Sequence, residues 1–301
     1  MTTPLRFGLV GTGFWASSVH AQALSSADGI DLVGVWGRDH GAAQAVAARH
    51  GAIGFTDADE MFGAVDAVAF AVPPSVQCSM ALRAAQAGKH VLLEKPIATS
   101  LPEADALVRA VDDAGVASVV FFTARYRPEM RAWLRDVSAR GGWAGGSSIW
   151  LGSVLSSALS DSNPFNTPWR RQKGGLWDLG PHVVSLLWAA LGPVVGVRAD
   201  AGAGDLTHLV LHHAGGATST ATVTLSASEA AEGSTTFIWG EAGRSEAPAE
   251  ATGSVQSLRV ALGELAECAR SGRVEHECDV RFGRDVVGVL AAAEDEIARR
   301  R

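Results

Sequence analysis

The first part of the sequence alternates short apolar runs with longer runs of helical composition. Leu5 to Val10 and His90 to Leu93 are mostly apolar, as expected of buried strands. Ser79 to Ala87 predicts a helix, and Gly88 closes it at the position that favours a left-handed backbone. Repeated βα units of this length predict an α/β, doubly wound parallel sheet with right-handed crossovers. We assign this domain to residues 1–122.

After about residue 123 the pattern changes to short strands separated by turns. The strand-like runs are Ile149–Ser153, Leu206–His213, Thr218–Ala227 and Thr235–Trp239. Links such as residues 214–216 favour antiparallel hairpins, and the glycine-rich residues 141–146 predict a loop. Because a chain of 301 residues is long for one domain, we predict that residues 123–301 form a second, α+β domain with an open, mostly antiparallel sheet. The polar stretch Ala242–Gly253 receives no role from the sequence.

Composition limits the class of protein. The formal net charge of −7 argues against a broad nucleic-acid-binding surface, and the three cysteines have neither zinc-ligand nor disulfide-framework spacing. The longest apolar segment, His182 to Val197, contains Gly192-Pro193 and is too short to span a bilayer. We therefore expect a cytoplasmic protein that acts on a small molecule, with no bound metal and no nucleic-acid or membrane partner.

A glycine-rich turn, Gly11-Thr12-Gly13, follows the first predicted strand. Its two glycines permit a tight turn and the close approach of a pyrophosphate, and Ala16 stands where the fingerprint needs a third small residue. The helix that follows would offer backbone N–H groups and a favourable dipole to phosphate. An ordinary glycine turn is the alternative, but the strand–turn–helix context favours a Rossmann-type dinucleotide-binding domain.

The end of the second predicted strand bears on the choice of cofactor. NAD-binding domains usually place an acid there to bind the ribose hydroxyls, whereas this strand continues into Gly37-Arg38-Asp39. A small residue leaves room for a 2′-phosphate, and a guanidinium can pair with it or stack on adenine. The sequence therefore favours NADP(H) and leaves NAD(H) open. In the alternative, Arg38 is a solvated loop residue and Asp39 binds the ribose.

Lys95 follows an apolar strand and precedes Pro96, so it lies where ligands bind at the carboxyl edge of a parallel sheet. A lysine there can hydrogen-bond a reacting hydroxyl, although an ordinary surface lysine is the alternative. The bond to Pro96 could be cis, which would fix the direction of the side chain.

Asp178 and His182 lie four residues apart, after the glycine pair 174–175, which the composition suggests is flexible. If the segment is helical, the two side chains share one face. Pro181 instead suits the first turn of a helix that begins near Gly180, with Asp178 in the preceding turn. Histidine is the natural group to exchange a proton with an alcohol or carbonyl near neutral pH. The alternatives are a helix cap for Asp178 and a structural role for His182.

Together these motifs resemble the Gfo/Idh/MocA family of NAD(P)-dependent oxidoreductases. The resemblance runs from the first strand to about residue 192. It rests on the glycine turn, the run Ala87 to Pro96, Pro168-Trp169-Arg170, and Gly174 to His182. It implies hydride transfer between nicotinamide and a sugar, cyclitol or related polyol or carbonyl compound. It also implies that the second domain's sheet forms homodimers or homotetramers.

The resemblance implies that Lys95, Asp178 and His182 are catalytic, with the histidine transferring a proton and the lysine assisting. The expected cofactor contacts are Gly11, Gly13, Phe14, Trp15, Gly37, Arg38, Pro73, Glu94 and Lys95. The expected substrate contacts are Lys95, Arg125, Trp169, Arg170, Asp178 and His182, with a hinge-supporting role as the alternative for Arg125. Two other functions stay open: a cofactor-retaining oxidation–elimination catalyst, and a non-catalytic NADP-sensing regulator.

The chain departs from the family pattern at two positions. Ser185 replaces the usual acid three residues after the histidine, and Gln77 replaces a histidine that often follows the Pro-Pro loop. We expect both changes to affect substrate contacts more than the core chemistry.

Overall fold

A computed structural model describes residues 3–156, 163–241 and 243–300. The chain forms two units, Met1–Tyr126 with Thr252–Asp285, and Arg127–Ala251 with Val286–Arg301. The sequence-based division at residues 122 and 123 differs from this arrangement in two respects. It falls before the end of the first segment at Tyr126, and it leaves out the return of residues 252–285 to the first unit.

The first unit contains a six-stranded sheet in which all neighbouring strands are parallel. Its strands are β1 (Leu5–Val10), β2 (Ile30–Trp36), β3 (Ile53–Phe55), β4 (Ala67–Phe70), β5 (His90–Glu94) and β6 (Ser118–Phe121). The order β3-β2-β1-β4-β5-β6 confirms the doubly wound sheet, with its topological switch point between β1 and β4.

Helices connect these strands, and several begin at the caps that their sequences provide. They are the π-helix Ala16–His20, α1 (Ala21–Ser26), α2 (His40–Ala48), α3 (Ala58–Ala64), α4 (Pro74–Gln86), α5 (Leu101–Ala114) and the 3-10 helix Thr123–Tyr126. Asp39, Asp57 and Ser100 accept backbone N–H groups at the starts of α2, α3 and α5. Gly115 ends α5 in the left-handed conformation.

The second unit contains a mixed six-stranded sheet. Its strands are β7 (Trp143–Leu151), β8 (Val194–Ala201), β9 (Thr207–His213), β10 (Thr218–Thr224), β11 (Gly233–Gly240) and β12 (Gly243–Glu246). In the order β12-β11-β7-β10-β9-β8, the β7–β10 pair is parallel and the other described pairs are antiparallel, which confirms a mostly antiparallel sheet. The unit also contains α6 (Pro128–Arg140), α7 (Pro168–Asp178), α8 (Gly180–Leu191) and the 3-10 helix Glu229–Ala231.

Two helices complete the chain, α9 (Ser254–Ser271) and α10 (Val280–Arg300). Helix α9 belongs to the first unit because it packs on β5, β6 and α1. Its side chains Leu258, Leu262 and Leu265 are fully buried there. None of the helices in the described ranges is long and apolar enough to cross a membrane.

The predicted loop at residues 141–146 is wrong, because β7 already begins at Trp143. The glycines here serve close packing: a Cβ on Gly145 would lie 2.5 Å from the ring of Trp239 on the neighbouring strand β11. Strand β8 (Val194–Ala201) was not predicted. Of its eight residues only Ala199 is buried.

The stretch Ala242–Gly253 starts with Ala242, which lies outside the described residues, and continues into β12. The connection after β12 is tied to the start of α6. Glu250 forms an ion pair with the buried Arg127, and the backbone N–H of Ala251 donates to Glu129 at 3.0 Å. This connection therefore anchors the start of α6.

Candidate functional site

The glycine turn at the carboxyl end of β1 has the shape that a pyrophosphate requires. Gly11 has a φ of 135°, and a Cβ at this position would strike the carbonyl oxygen of Ala71. A Cβ on Gly13 would meet nothing within 4 Å, so the backbone there is open to a ligand. Ala16 is fully buried beside the turn, as the fingerprint requires of its third small residue. The turn therefore fits a dinucleotide phosphate.

Glu94, the last residue of β5, joins this turn to the backbone of Lys95. Its Oε1 accepts a hydrogen bond from Trp15 Nε1 at 2.6 Å and lies 2.9 Å from His20 Nε2. Its Oε2 accepts the backbone N–H of Lys95 at 3.3 Å. Sequence reasoning missed His20, which is fully buried and whose Nδ1 has no hydrogen-bond partner in the described part of the chain. A histidine one turn after Ala16, within the fingerprint helix, is the signal that could have revealed it.

The end of β2 carries an exposed cation. Arg38 is exposed, and no hydrogen bond or ion pair engages it within the described residues. A Cβ on Gly37 would lie 2.6 Å from Thr12 Cγ2, so this glycine also serves packing against the turn. Asp39 Oδ1 accepts the backbone N–H of Ala42 at 3.0 Å and caps α2. The acid that could have bound a ribose is therefore engaged as a helix cap.

Lys95 and Pro73 also lie at the carboxyl edge of the first sheet. Lys95 follows β5, and its bond to Pro96 is cis, which the sequence left open. Pro73 is exposed and precedes α4 after the end of β4. The residues expected to contact a cofactor therefore follow four adjacent strands, β2, β1, β4 and β5.

Arg125 is engaged inside the first unit. Its side chain is buried, its Nη2 donates to Glu277 at 3.0 Å, and its guanidinium lies 5.7 Å from the centre of the Phe282 ring. These contacts favour the supporting role, and a substrate contact stays a prediction.

Asp178 and His182 lie on either side of a junction between two helices. Asp178 ends α7, and α8 begins at Gly180 with Pro181 in its first turn. Leu179 between them is helical, with φ −93° and ψ −32°, so the backbone continues with little interruption. The predicted helix start near Gly180 is confirmed. The predicted turn at Asp178 is wrong, because Asp178 is the last residue of α7.

A salt bridge fixes the carboxylate of Asp178. Arg170 Nε donates to Asp178 Oδ2 at 2.8 Å, and the two side chains are 17% and 8% exposed. The guanidinium also lies over the ring of Trp169, 4.8 Å from its centre. A guanidinium that is paired on one edge and stacked on one face holds its partner in one orientation. Three of the predicted substrate residues are thus brought together in the second unit.

His182 is buried beside an aromatic ring. Its imidazole lies 5.0 Å from the ring of Trp150, at an interplanar angle of 35°. Ser185, where the family pattern has an acid, donates its hydroxyl to the carbonyl oxygen of His182 at 2.9 Å. The serine therefore supports the backbone of α8, and Trp150 presents an indole next to the candidate proton-transfer group.

The glycine pair before Asp178 is tightly packed, and the flexibility suggested by its composition is wrong. Gly174 has a φ of 62°, and a Cβ there would lie 2.9 Å from the Cβ of Asp205. A Cβ on Gly175 would lie 2.8 Å from the Cα of Thr224. Both glycines are needed because the turn lies directly against the end of β10.

Asp205 secures this contact, and sequence reasoning missed it. Its Oδ2 accepts the backbone N–H groups of Gly175 at 2.7 Å and Leu225 at 2.8 Å, and its Oδ1 accepts the Thr224 hydroxyl at 2.7 Å. One carboxylate thereby ties the α7 turn to the end of β10. An aspartate in a turn between two strands is too common in sequences to indicate such a role.

Replacing Asp205 by alanine is expected to lower the free energy of unfolding by about 3 kcal/mol, because two buried N–H groups and a hydroxyl lose their acceptor. Burial alone would raise the pKa of Asp205, but hydrogen bonds from Thr224, Ser226, Leu225 and Gly175 outweigh it and hold the pKa below its ordinary value. The stabilisation is therefore complete above the ordinary carboxyl pKa and is lost as the pH falls through the lowered value.

Urea denaturation of the wild type and the variant at about pH 7 and about pH 3 measures this difference. The difference in the free energy of unfolding between wild type and variant should be smaller at the lower pH. A difference that does not change with pH would contradict the role given to Asp205. Asp200→Ala is the matched control. Asp200 forms a surface ion pair with Arg300, so its loss should cost less than about 1 kcal/mol.

Comparison with known proteins identifies the family on both sides of residue 123. Residues 5–122 match the model described as the oxidoreductase family, NAD-binding Rossmann fold, of Gfo/Idh/MocA proteins. Residues 151–246 match the Gfo/Idh/MocA C-terminal domain.

Curated relatives are similar over part of their length. An oxidoreductase of Formosa agariphila is 29% identical over 214 residues, which cover 66% of this chain and 64% of the relative. Glucose-6-phosphate 3-dehydrogenase of Bacillus subtilis is 29% identical over 196 residues, which cover 61% of this chain and 53% of the relative. The chain thus spans less than two thirds of the length of these relatives.

Solved structures share the fold over nearly the whole chain. Levoglucosan dehydrogenase in complex with NADH and L-sorbose has a TM-score of 0.86 at 19% identity, and the match covers 99% of this chain and 98% of that one. The two family models, the curated relatives and this fold agree with the motifs in the sequence. The chain belongs to the Gfo/Idh/MocA family of oxidoreductases.

Proposed function

We propose that this protein is an NADP(H)-preferring oxidoreductase that acts on a sugar, cyclitol or related polyol or carbonyl compound. The observation that carries the proposal is the link from the glycine turn to Lys95: Trp15 Nε1 and the Lys95 backbone N–H donate to the same carboxylate, that of Glu94. An amine able to bind a reacting hydroxyl is thereby tied to a turn that fits a pyrophosphate. The names of the sugar dehydrogenases among the relatives support the substrate class.

Bound nicotinamide would supply the group that gives or takes hydride, and the protein would supply binding and proton transfer. Gly11 and Gly13 would admit the pyrophosphate to the start of the fingerprint helix. His182 would exchange the proton of the substrate hydroxyl. The ammonium of Lys95 would hydrogen-bond a substrate oxygen and stabilise the negative charge that develops during the reaction. Asp178, held by Arg170, would orient the substrate.

The preference for NADP(H) is supported by the end of β2. Arg38 offers an exposed guanidinium, and Asp39, the neighbouring acid, already caps α2. An acid in place of Gly37 would collide with Thr12. A 2′-phosphate would therefore meet a cation and no competing carboxylate at position 37. Assembly through the second sheet and the cytoplasmic location stay predictions.

Arg38→Ala is expected to raise the Kd for NADPH about 10- to 100-fold, because a charge-assisted phosphate contact is lost. The Kd for NADH should change by less than about threefold, since NADH lacks that phosphate. Quenching of tryptophan emission can report both affinities, with Trp15 and Trp36 next to the two ends of the site. Arg49→Ala, an exposed arginine at the far end of α2, is the control and should alter neither value. An equal loss for both cofactors would contradict the assignment.

A screen of sugars and cyclitols with NADP⁺ tests the proposed activity. Net formation of reduced cofactor, followed by its near-ultraviolet absorbance, supports a dehydrogenase. An absorbance change that returns to its starting value, together with a new product, would replace it by the cofactor-retaining oxidation–elimination reaction. Tight cofactor binding without turnover on any member of the panel would favour the nucleotide-sensing alternative.

A further inference from the structure

We infer that Gln77 is a positioning residue that fixes the backbone on both sides of Lys95; the inference rests on the proposed role of that lysine. Gln77 lies on α4 and is fully buried. Its Nε2 donates to the carbonyl oxygen of Glu94 at 2.7 Å and to that of Pro96 at 3.2 Å. Its Oε1 accepts the backbone N–H of Glu94 at 2.8 Å. One side chain thus holds the residue before Lys95 and the residue after it.

The parallel sheet does not hold both edges of β5 at Glu94. Strand β4 pairs with β5 only as far as Ala69 and Leu92, whereas β6 continues to pair as far as Glu94 and Phe121. At Glu94, β5 therefore has a strand partner on one side only. The amide of Gln77 takes the place of the missing strand, because it offers an acceptor and a donor as a peptide group does. The path of the chain into Lys95 is set by this side chain and not by the ladder.

The chemistry of the amide is specific to the task. A primary amide has one carbonyl oxygen and two N–H groups, and here the oxygen accepts one bond while the nitrogen donates two. A carboxylate could accept the N–H of Glu94 but would face two carbonyl oxygens with no hydrogen to donate. A thioether would form none of the three bonds. The described contacts of Gln77 are to the backbone around Lys95, and an effect of this change on substrate contacts stays a prediction.

The same residue joins two parts of the first unit. The backbone of Glu94 is held by Gln77, and its carboxylate is held by Trp15 and His20 of the fingerprint helix. A change at Gln77 should therefore move Lys95 while leaving the glycine turn, which has its own contacts, in place.

The test uses the small number of lysines in the chain, which are Lys89, Lys95 and Lys173. Reductive methylation with isotope-labelled formaldehyde gives each lysine a methyl signal in a carbon NMR spectrum. The signal that is missing from Lys95→Arg is that of Lys95. In full-length Gln77→Met, the Lys95 signal and its dependence on pH should shift. The signals of Lys89, bonded to the carbonyl of Val65, and of Lys173, paired with Glu294, should stay.

Gln86→Met, an exposed glutamine on the same helix, is the matched control and should move none of the three signals. An unmoved Lys95 signal in folded Gln77→Met would overturn the inference. If that variant unfolds, all three signals collapse together, and Gln77→Glu, which keeps the length and one hydrogen bond, decides in the same way.

Kinetics separate this inference from the proposed function. On a substrate found by the screen, Gln77→Met should lower kcat about 10- to 100-fold with little change in the Kd for NADPH, because Lys95 is displaced and the turn is not. A shifted Lys95 signal in a protein that turns over no substrate would leave the positioning role standing and count against the proposed function alone. An unchanged kcat together with an unshifted Lys95 signal would show that Gln77 neither positions Lys95 nor affects turnover.

Discussion

Replacing His182 by asparagine is expected to lower kcat about 10³-fold, because asparagine cannot exchange a proton with the substrate hydroxyl. The side chain is buried on α8 beside the ring of Trp150, and asparagine is smaller and polar, so the helix should persist. Cofactor affinity should stay within about threefold of the wild type, since the cofactor turn belongs to the other unit. The rise or fall of kcat with pH that the histidine contributes should disappear from the variant.

Steady-state kinetics across a range of pH, together with NADPH titration, measures these effects. His208→Asn is the matched control in the same unit: His208 is exposed and bonds to the hydroxyl of Thr222, so its loss should leave kcat unchanged. If His182→Asn retained the wild-type rate and pH profile, another group would have to transfer the proton.

Replacing Lys95 by methionine is expected to lower kcat about 10²- to 10³-fold, because the substrate oxygen loses a cationic hydrogen-bond donor as negative charge develops on it. Methionine matches the length of the lysine stem, and the backbone at this position is held by Glu94 and Gln77. The Kd for NADPH should therefore change by less than about threefold, so the loss falls on kcat and kcat/KM together.

The control for this variant is Lys89→Met. Lys89 precedes Lys95 by six residues and donates to the carbonyl oxygen of Val65. It has no part in the proposed reaction. It should turn over substrate at the wild-type rate after correction for any change in stability. Unchanged turnover in Lys95→Met would remove this lysine from the mechanism.

The parts of the fold that the sequence predicted are those with a local signal. Strands such as β1 and β5 are buried on both faces, so their apolar runs are visible without knowledge of their neighbours. The start of β7 was missed because glycine usually marks a turn, whereas Gly145 is there to admit the ring of Trp239 from an adjacent strand. The place of α9 in the first unit depends on which sheet its leucines cover, and periodicity alone does not specify that.

The same distinction between local and long-range signals applies to the residues of the candidate site. The glycine turn and Lys95 were predicted because each belongs to a short motif in a recognisable strand context. The contacts of Gln77, His20 and Asp205 were not predicted, because their partners lie 17, 74 and 30 residues away in the chain. Each is a polar side chain whose partner is another backbone or carboxylate, and only the packed structure brings the two together. The pairing of Asp178 with Arg170 is intermediate between these two cases. The residues are eight apart in the sequence, and the chain between them is kinked at Gly174.

The affinity of the folded wild-type protein for NADPH and for NADH tests the central claim most directly, because every proposed role depends on a bound nicotinamide. We predict tight binding of NADPH and weaker binding of NADH, each seen as quenching of tryptophan emission. Tighter binding of NADH would overturn the role given to Gly37 and Arg38 while keeping the site. Binding of neither cofactor, by protein shown to be folded, would contradict the account as a whole.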